Sequence, residues 1–174
     1  MIIDIHSHIV DPSLSKYMAT EPNPNAFNVS WLLDQQQEAG VDLTVINHPS
    51  VVERTLEKSP AALLKVVQAY DEFVAGLTQT HKGRLAALAV TYPFGGEPFC
   101  KELERAVKEL GLKGVMVNPR YVNEFLDSPR AVPFLELACE LDIPVYIHPP
   151  MEAIGAEHMR EFRLIEMVGR PCET

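Results

Sequence analysis

Apolar and polar residues alternate at the start of the chain. Ile3 and Ile5 face one way and Asp4, His6 and His8 the other, the period of a β-strand. The polar face is expected to look towards a site, and the apolar face, which also carries Ser7, towards packing. Residues 11–28 are polar and contain several Pro and Asn, which predicts a long loop over one end of the fold. Ser30 is placed to cap a helix through Trp31, Leu32 and Leu33 that Gly40 stops. Residues 41–47 read as an apolar strand. Behind Pro60, the residues Leu63, Leu64, Val67, Tyr70, Val74 and Leu77 recur at helical spacing and predict a long helix that ends near His81-Lys82-Gly83. Residues 84–90 make a third strand, 98–110 a helix closed by Gly111, and 113–118 a fourth strand. Val132, Leu135, Leu137, Ala138 and Leu141 predict a helix over 130–141 that delivers a fifth strand over 143–148.

Strand and helix thus alternate five times, which implies an α/β fold of parallel strands joined by right-handed crossovers. An open doubly wound sheet and part of a (β/α)8 TIM-type barrel both satisfy that order. No Gly-rich phosphate loop follows any strand, which weakens the nucleotide-binding sheet. Five units in 174 residues extrapolate to about 280 residues for eight, close to the usual barrel size of roughly 250. The expectation is a partial barrel of about five βα units, with residues 1–174 forming a single domain that is truncated at its C-terminus. Gly169-Arg170 ends one helix and Pro171 opens another, with Glu173 in its first turn.

A formal charge of −9 without a basic cluster argues against nucleic acid and against an anionic membrane surface. No basic-plus-apolar leader or bilayer-length apolar run is present, so a cytoplasmic location is expected. Cys100, Cys139 and Cys172 lack any Cys-x-x-Cys pair and read as reduced thiols, with Cys139 on a helix core face.

The candidate chemistry lies in histidines at strand ends. His6-Ser7-His8 puts two imidazoles on one strand face. With six His in the chain, some His-x-His arises by chance about 0.2 times, so the spacing needs support. His148, at the end of the fifth strand, supplies it. Three imidazoles that leave one position open form a recognised catalytic metal set, and a divalent ion there polarises oxygen and acidifies water. His48, after the second strand, falls at the same end and is a substrate-contact candidate beside the plainer reading of a loop His bonded to backbone. Asn118 and Arg120 follow the fourth strand, where Arg120 is positioned to receive a carboxylate through two hydrogen bonds or to serve at the surface. Asp4 is a candidate second-shell carboxylate for a ligand imidazole. His81 and His158 carry no site role.

Ile3-Asp4-Ile5-His6-Ser7-His8, the Lys113-Gly114-Val115 strand and Val145-Tyr146-Ile147-His148-Pro149 together resemble the amidohydrolase superfamily. The resemblance is to the branch that contains aminocarboxymuconate-semialdehyde decarboxylase and the resorcylate decarboxylases. It runs the full length, through Leu110-Gly111, Val122-Asn123-Glu124-Phe125 and Val168-Gly169-Arg170-Pro171-Cys172-Glu173-Thr174. It implies a distorted (β/α)8 barrel with one divalent metal, usually zinc, in its mouth, held here by His6, His8 and His148. It also implies a catalytic His after a sixth strand and an Asp ligand ending an eighth, neither of which has a position up to Thr174. The chain therefore reads as the N-terminal part of a metal-dependent carboxy-lyase or hydrolase for a small carboxylated substrate, with catalytic residues unassigned. The competing expectation is a non-catalytic half-barrel that binds metal weakly or serves only as a scaffold. Open sheet edges predict a homo-oligomer. Two departures bear on substrate: residues 9–30 contain no Arg to hold a carboxylate, and Pro150 replaces the aromatic residue that follows His-Pro in relatives.

Overall fold

The computed structural model describes residues 1–17, 24–48, 50–56, 59–162 and 164–173. In chain order its strands are β1 (Ile3–His8), β2 (Leu43–Asn47), β3 (Leu85–Ala87), β4 (Ala89–Val90), β5 (Val115–Val117), β6 (Arg120–Tyr121), β7 (Glu124–Phe125) and β8 (Val145–Ile147). The helices are α1 (Val29–Glu38), α2 (Ser50–Thr55), α3 (Pro60–Thr80), α4 (Glu97–Lys108), α5 (Val132–Glu140) and α6 (Ala156–Met159). β1, β2 and β3 pair in parallel in that order, as do β4, β5 and β8. β3 and β4 are two pieces of one strand interrupted at Leu88. The Leu88 N–H donates to Ile46 at 3.1 Å and the Ala89 N–H to Gly114 at 2.9 Å, so the strand passes from one neighbour to the next at that residue. The result is five parallel strands in sequence order, each followed by helix: part of a (β/α)8 barrel.

The helices cover one side of the strands because their apolar residues fall on one stripe. In α3 the buried set is Leu63, Val66, Val67, Tyr70, Asp71, Val74 and Ala75, and in α4 it is Phe99, Glu102, Leu103 and Ala106, the 3.6-residue period in both. These meet Ile46, Ala87, Ala89, Val115 and Val117 in one continuous core. Each large apolar side chain buried there contributes about 1.5–3 kcal/mol. The Tyr70 hydroxyl donates to the Ile9 carbonyl at 2.9 Å, tying α3 to the residue that follows β1. Ser59 caps α3 by accepting from the Ala62 N–H. Among the described residues no helix is long and apolar enough to cross a membrane.

Several expectations are corrected. Asn28, not Ser30, caps α1, its side chain accepting from the Trp31 N–H at 3.0 Å. Ser30 instead lies inside the helix. The segment 11–28 contains 3-10 turns at Pro12–Tyr17 and Pro24–Phe27, while its residues 18–23 fall outside the described set. The apolar face of β1 does not pack inward: Ile3 is 41% and Ile5 59% exposed, because β1 has one paired neighbour and nothing covers its other edge. Cys139 is exposed rather than in the core, since α5 buries Phe134 and Ala138 and leaves Val132, Leu135 and Cys139 on its opposite face. Pro171 opens only a 3-10 turn, Pro171–Glu173.

One buried acid makes the core sensitive to pH. Asp71 is fully buried; one oxygen accepts the Val90 N–H at 2.9 Å and the other has no partner. Burial, with Glu102 and Glu72 nearby, pushes its pKa well above the ordinary carboxylate range, although the Val90 bond and Arg105 oppose this. A raised folded-state pKa means that the folded chain keeps a proton the unfolded chain releases. Its contribution is therefore full below the unfolded pKa and is lost as pH rises through the interval between the two values, by up to about 1.4 kcal/mol per pH unit. Asp71→Asn, which mimics the protonated acid, is expected to flatten the fall in Tm from pH 5 upwards. Parallel Tm profiles for the two proteins would assign the slope to other groups.

Candidate metal centre

The parallel register brings the C-terminal ends of the strands together, and with them the chain's strand-end polar residues. His8 pairs with Asn47 on β2, and the His148 N–H donates to Val117 at 2.9 Å, which sets Asn118 beside His148. β1 carries a register irregularity between Asp4 and Ser7. Asp4 feeds it: one oxygen accepts the His6 N–H at 3.0 Å and the other the Ser7 hydroxyl. Asp4 thus shapes the backbone that presents His6, by way of the main chain and not the ring.

His6, His8 and His148 converge, with one ring nitrogen from each lying within 4.8 Å of the others. The Nε2 atoms of His6 and His8 are 3.1 Å apart. Two nitrogens bonded at about 2.1 Å to one ion with an angle of 90–109° are separated by about 3.0–3.4 Å, so the spacing fits a shared cation. The Nδ1 of His8 lies 3.0 Å from the Asn47 carbonyl, which can only accept. That bond places the proton on Nδ1 and leaves the Nε2 lone pair for a metal. The His6 and His148 ring centroids are 5.1 Å apart and nearly perpendicular, and Tyr146 lies 5.6 Å from the His6 ring. Burial, aided by the neighbouring imidazoles, lowers His148 to about 4. Burial also lowers His8, against the opposing pull of its bond to Asn47. Both rings are therefore neutral donors near neutral pH, as a divalent ion requires.

Around the triad stand groups with unmet hydrogen-bonding capacity. The side-chain amides of Asn47 and Asn118 are buried, and neither their oxygen nor their nitrogen has a partner. Unpaired buried amides are costly, and both flank a ligand His across a strand pair. His48 lies beside His8, with ring centroids 5.1 Å apart, and burial first, then the charges of His8 and His148, lowers it to about 3. Of the residues singled out from sequence, His6, His8, His148, His48 and Asn118 gather here. Arg120 is engaged elsewhere: its guanidinium donates to the carbonyls of Val122 at 2.9 Å and Glu152 at 2.6 Å, and lines a cleft of about 230 Å³ with Glu152, Ala156 and Arg160. Sequence reasoning did not reach Asn47 or Tyr146. Asn47 had a usable signal, the last position of the second strand.

A sequence model of the family described as Amidohydrolase matches residues 3–170. The chain is 27% identical over 154 residues to 2-amino-3-carboxymuconate-6-semialdehyde decarboxylase of Dictyostelium discoideum, covering 88% of this chain and 42% of that protein. Its fold matches the crystal structure of 5-carboxyvanillate decarboxylase from Sphingomonas paucimobilis with a TM-score of 0.79 at 18% identity, over 99% of this chain and 59% of the other. A 5-carboxyvanillate decarboxylase from Novosphingobium aromaticivorans, complexed with manganese and 4-hydroxy-3-methoxy-5-nitrobenzoic acid, matches with a TM-score of 0.78 at 17% identity, covering 98% and 55% of the two chains. The chain thus spans about half the length of these relatives.

Proposed function

The chain belongs to the amidohydrolase family, and from that premise we propose that its five βα units form the metal-binding part of a decarboxylase for a small carboxylated ring compound. The observation that carries this is the convergence of His6, His8 and His148 on one point with neutral, correctly oriented nitrogens. Decarboxylation is preferred to hydrolysis because the relatives named above are decarboxylases. The ion is a first-row divalent metal: three imidazoles favour zinc in affinity, while the solved Novosphingobium relative holds manganese.

When bound, such an ion supplies Lewis acidity that draws electron density from a substrate oxygen. The remaining work falls to this chain's own residues. The Asn47 carbonyl holds the His8 tautomer. The unpartnered amides of Asn47 and Asn118 are suited to the substrate's hydroxyl or carboxylate oxygens, each amide offering both a donor and an acceptor. Val90, Met116 and Tyr146, which align across β4, β5 and β8, supply a predominantly apolar strip below them. Such surroundings favour loss of carbon dioxide, since the carboxylate's charge is dispersed as the carbon–carbon bond breaks and its electron pair passes to the ring carbon, which then takes a proton. The exposed isoleucines of β1, together with Ile147 on β8, support self-association through the open edges.

The test compares 2,6-dihydroxybenzoate with its methyl ester in calorimetric titrations of the zinc- or manganese-loaded protein and of the chelated protein. The acid is expected to bind only when metal is present, and more tightly than the ester. Preference for the ester would favour hydrolysis, and metal-independent binding of the acid would separate the triad from substrate.

A further inference from the structure

We propose that Arg170 is the residue that receives the substrate's carboxylate beside the metal centre, an inference that rests on the function proposed above. Arg170 follows the π-turn Ile165–Gly169, and its N–H donates to the Ile165 carbonyl at 2.8 Å. Packing at Gly169 fixes this turn: a Cβ there would lie 2.7 Å from Met159 Sδ and 2.8 Å from Ala153 Cβ. The backbone is therefore held close against the segment that follows β8. The Arg170 side chain is only 18% exposed. Its Nη1 pairs with Glu166 Oε2 at 2.6 Å, while its Nε is buried with no partner.

The guanidinium also lies near enough to His8 and His148 that its charge helps to hold both imidazoles below their usual pKa. A permanent cation thus stands beside a ligand set that has no charge of its own. With a divalent ion in place, ion and guanidinium repel each other unless an anion lies between them. A carboxylate answers both charges, and its two oxygens match the planar donor fork of arginine. Glu166 is largely exposed, so its pair with Nη1 steadies the guanidinium from the solvent side. Arg120 is occupied by two backbone carbonyls, and residues 9–30 contain no Arg. Arg170 fills the role that neither supplies.

Arg170→Gln and Arg170→Lys, each loaded with zinc, are compared with the parent protein for metal content, for binding of 2,6-dihydroxybenzoate and for binding of resorcinol, the same ring without the carboxylate. Arg170→Gln is expected to keep about one equivalent of metal and its resorcinol affinity while losing about tenfold or more in affinity for the acid; Arg170→Lys should fall between it and the parent. Equal weakening of acid and resorcinol, or loss of metal, would show a structural role and overturn the inference. Unchanged affinity for the acid in Arg170→Gln would overturn it while leaving the proposed function standing. Failure of the parent protein to bind the acid would overturn both.

Discussion

His8→Ala is expected to abolish stoichiometric metal binding, lowering affinity for zinc by more than the 10–100-fold typical of losing an outer partner. His8 is the member whose tautomer is fixed by the fold, through Nδ1 and the Asn47 carbonyl. It is also 3.1 Å from His6 through the nitrogens that face the centre. Removing it leaves His6 and His148 without the nitrogen between them. Competition against a chromophoric chelator reads the affinity directly. His48→Ala is the paired control: His48 packs on His8 but lies outside the set of converging ring nitrogens, so its loss should leave about one equivalent bound. Similar affinities for His8→Ala and the parent protein would remove His8 from the centre.

The largest expected effect on stability comes from Gly114→Ala. Gly114 sits where three strands meet: its carbonyl accepts the Ala89 N–H, and the next residue donates to Pro144. A Cβ at this position would stand 2.7 Å from the Pro144 carbonyl oxygen, 2.8 Å from Pro144 Cγ and 3.1 Å from Leu88 Cδ2. Backbone and a proline ring cannot turn aside as a flexible side chain can, so β5 and β8 must separate. We expect destabilisation of about 2–3 kcal/mol, seen as a lower Tm and urea midpoint. Gly76→Ala makes the contrast. Gly76 lies within α3 with nothing within 4 Å of its added carbon, and the change should stabilise by about 0.5–1 kcal/mol. Equal Tm values for Gly114→Ala and the parent protein would mean that the strands give way at little cost.

Strand order and the metal ligands were legible in the sequence because both depend on local pattern. Alternation around His6 and His8, and the short apolar runs ending in Asn47, Asn118 and His148, place polar residues at strand ends, and parallel strands gather those ends on one side. What covers a face was not legible: the alternation of β1 marks Ile3 and Ile5 as one side without saying whether anything packs there. The period of α5 likewise drew in Val132 and Leu135, yet the helix turns Phe134 and Ala138 inward. Asn28 displaced Ser30 as a cap because both side chains suit the role within one turn, and only the backbone decides between them. The short α2 and the β6–β7 hairpin carry too few residues for a period to show. Arg170 is distant in sequence from β1 and has no local signal; a π-turn pinned at Gly169 brings its charge to His8 and His148.

The central claim is that one divalent ion is held by His6, His8 and His148. Diffraction from crystals of the zinc-loaded protein, recorded at the zinc absorption edge, tests it most directly. The account predicts one anomalous peak about 2.0–2.1 Å from a ring nitrogen of each of the three histidines. A peak bonded to other residues, or none at the triad in zinc-saturated crystals, would contradict it.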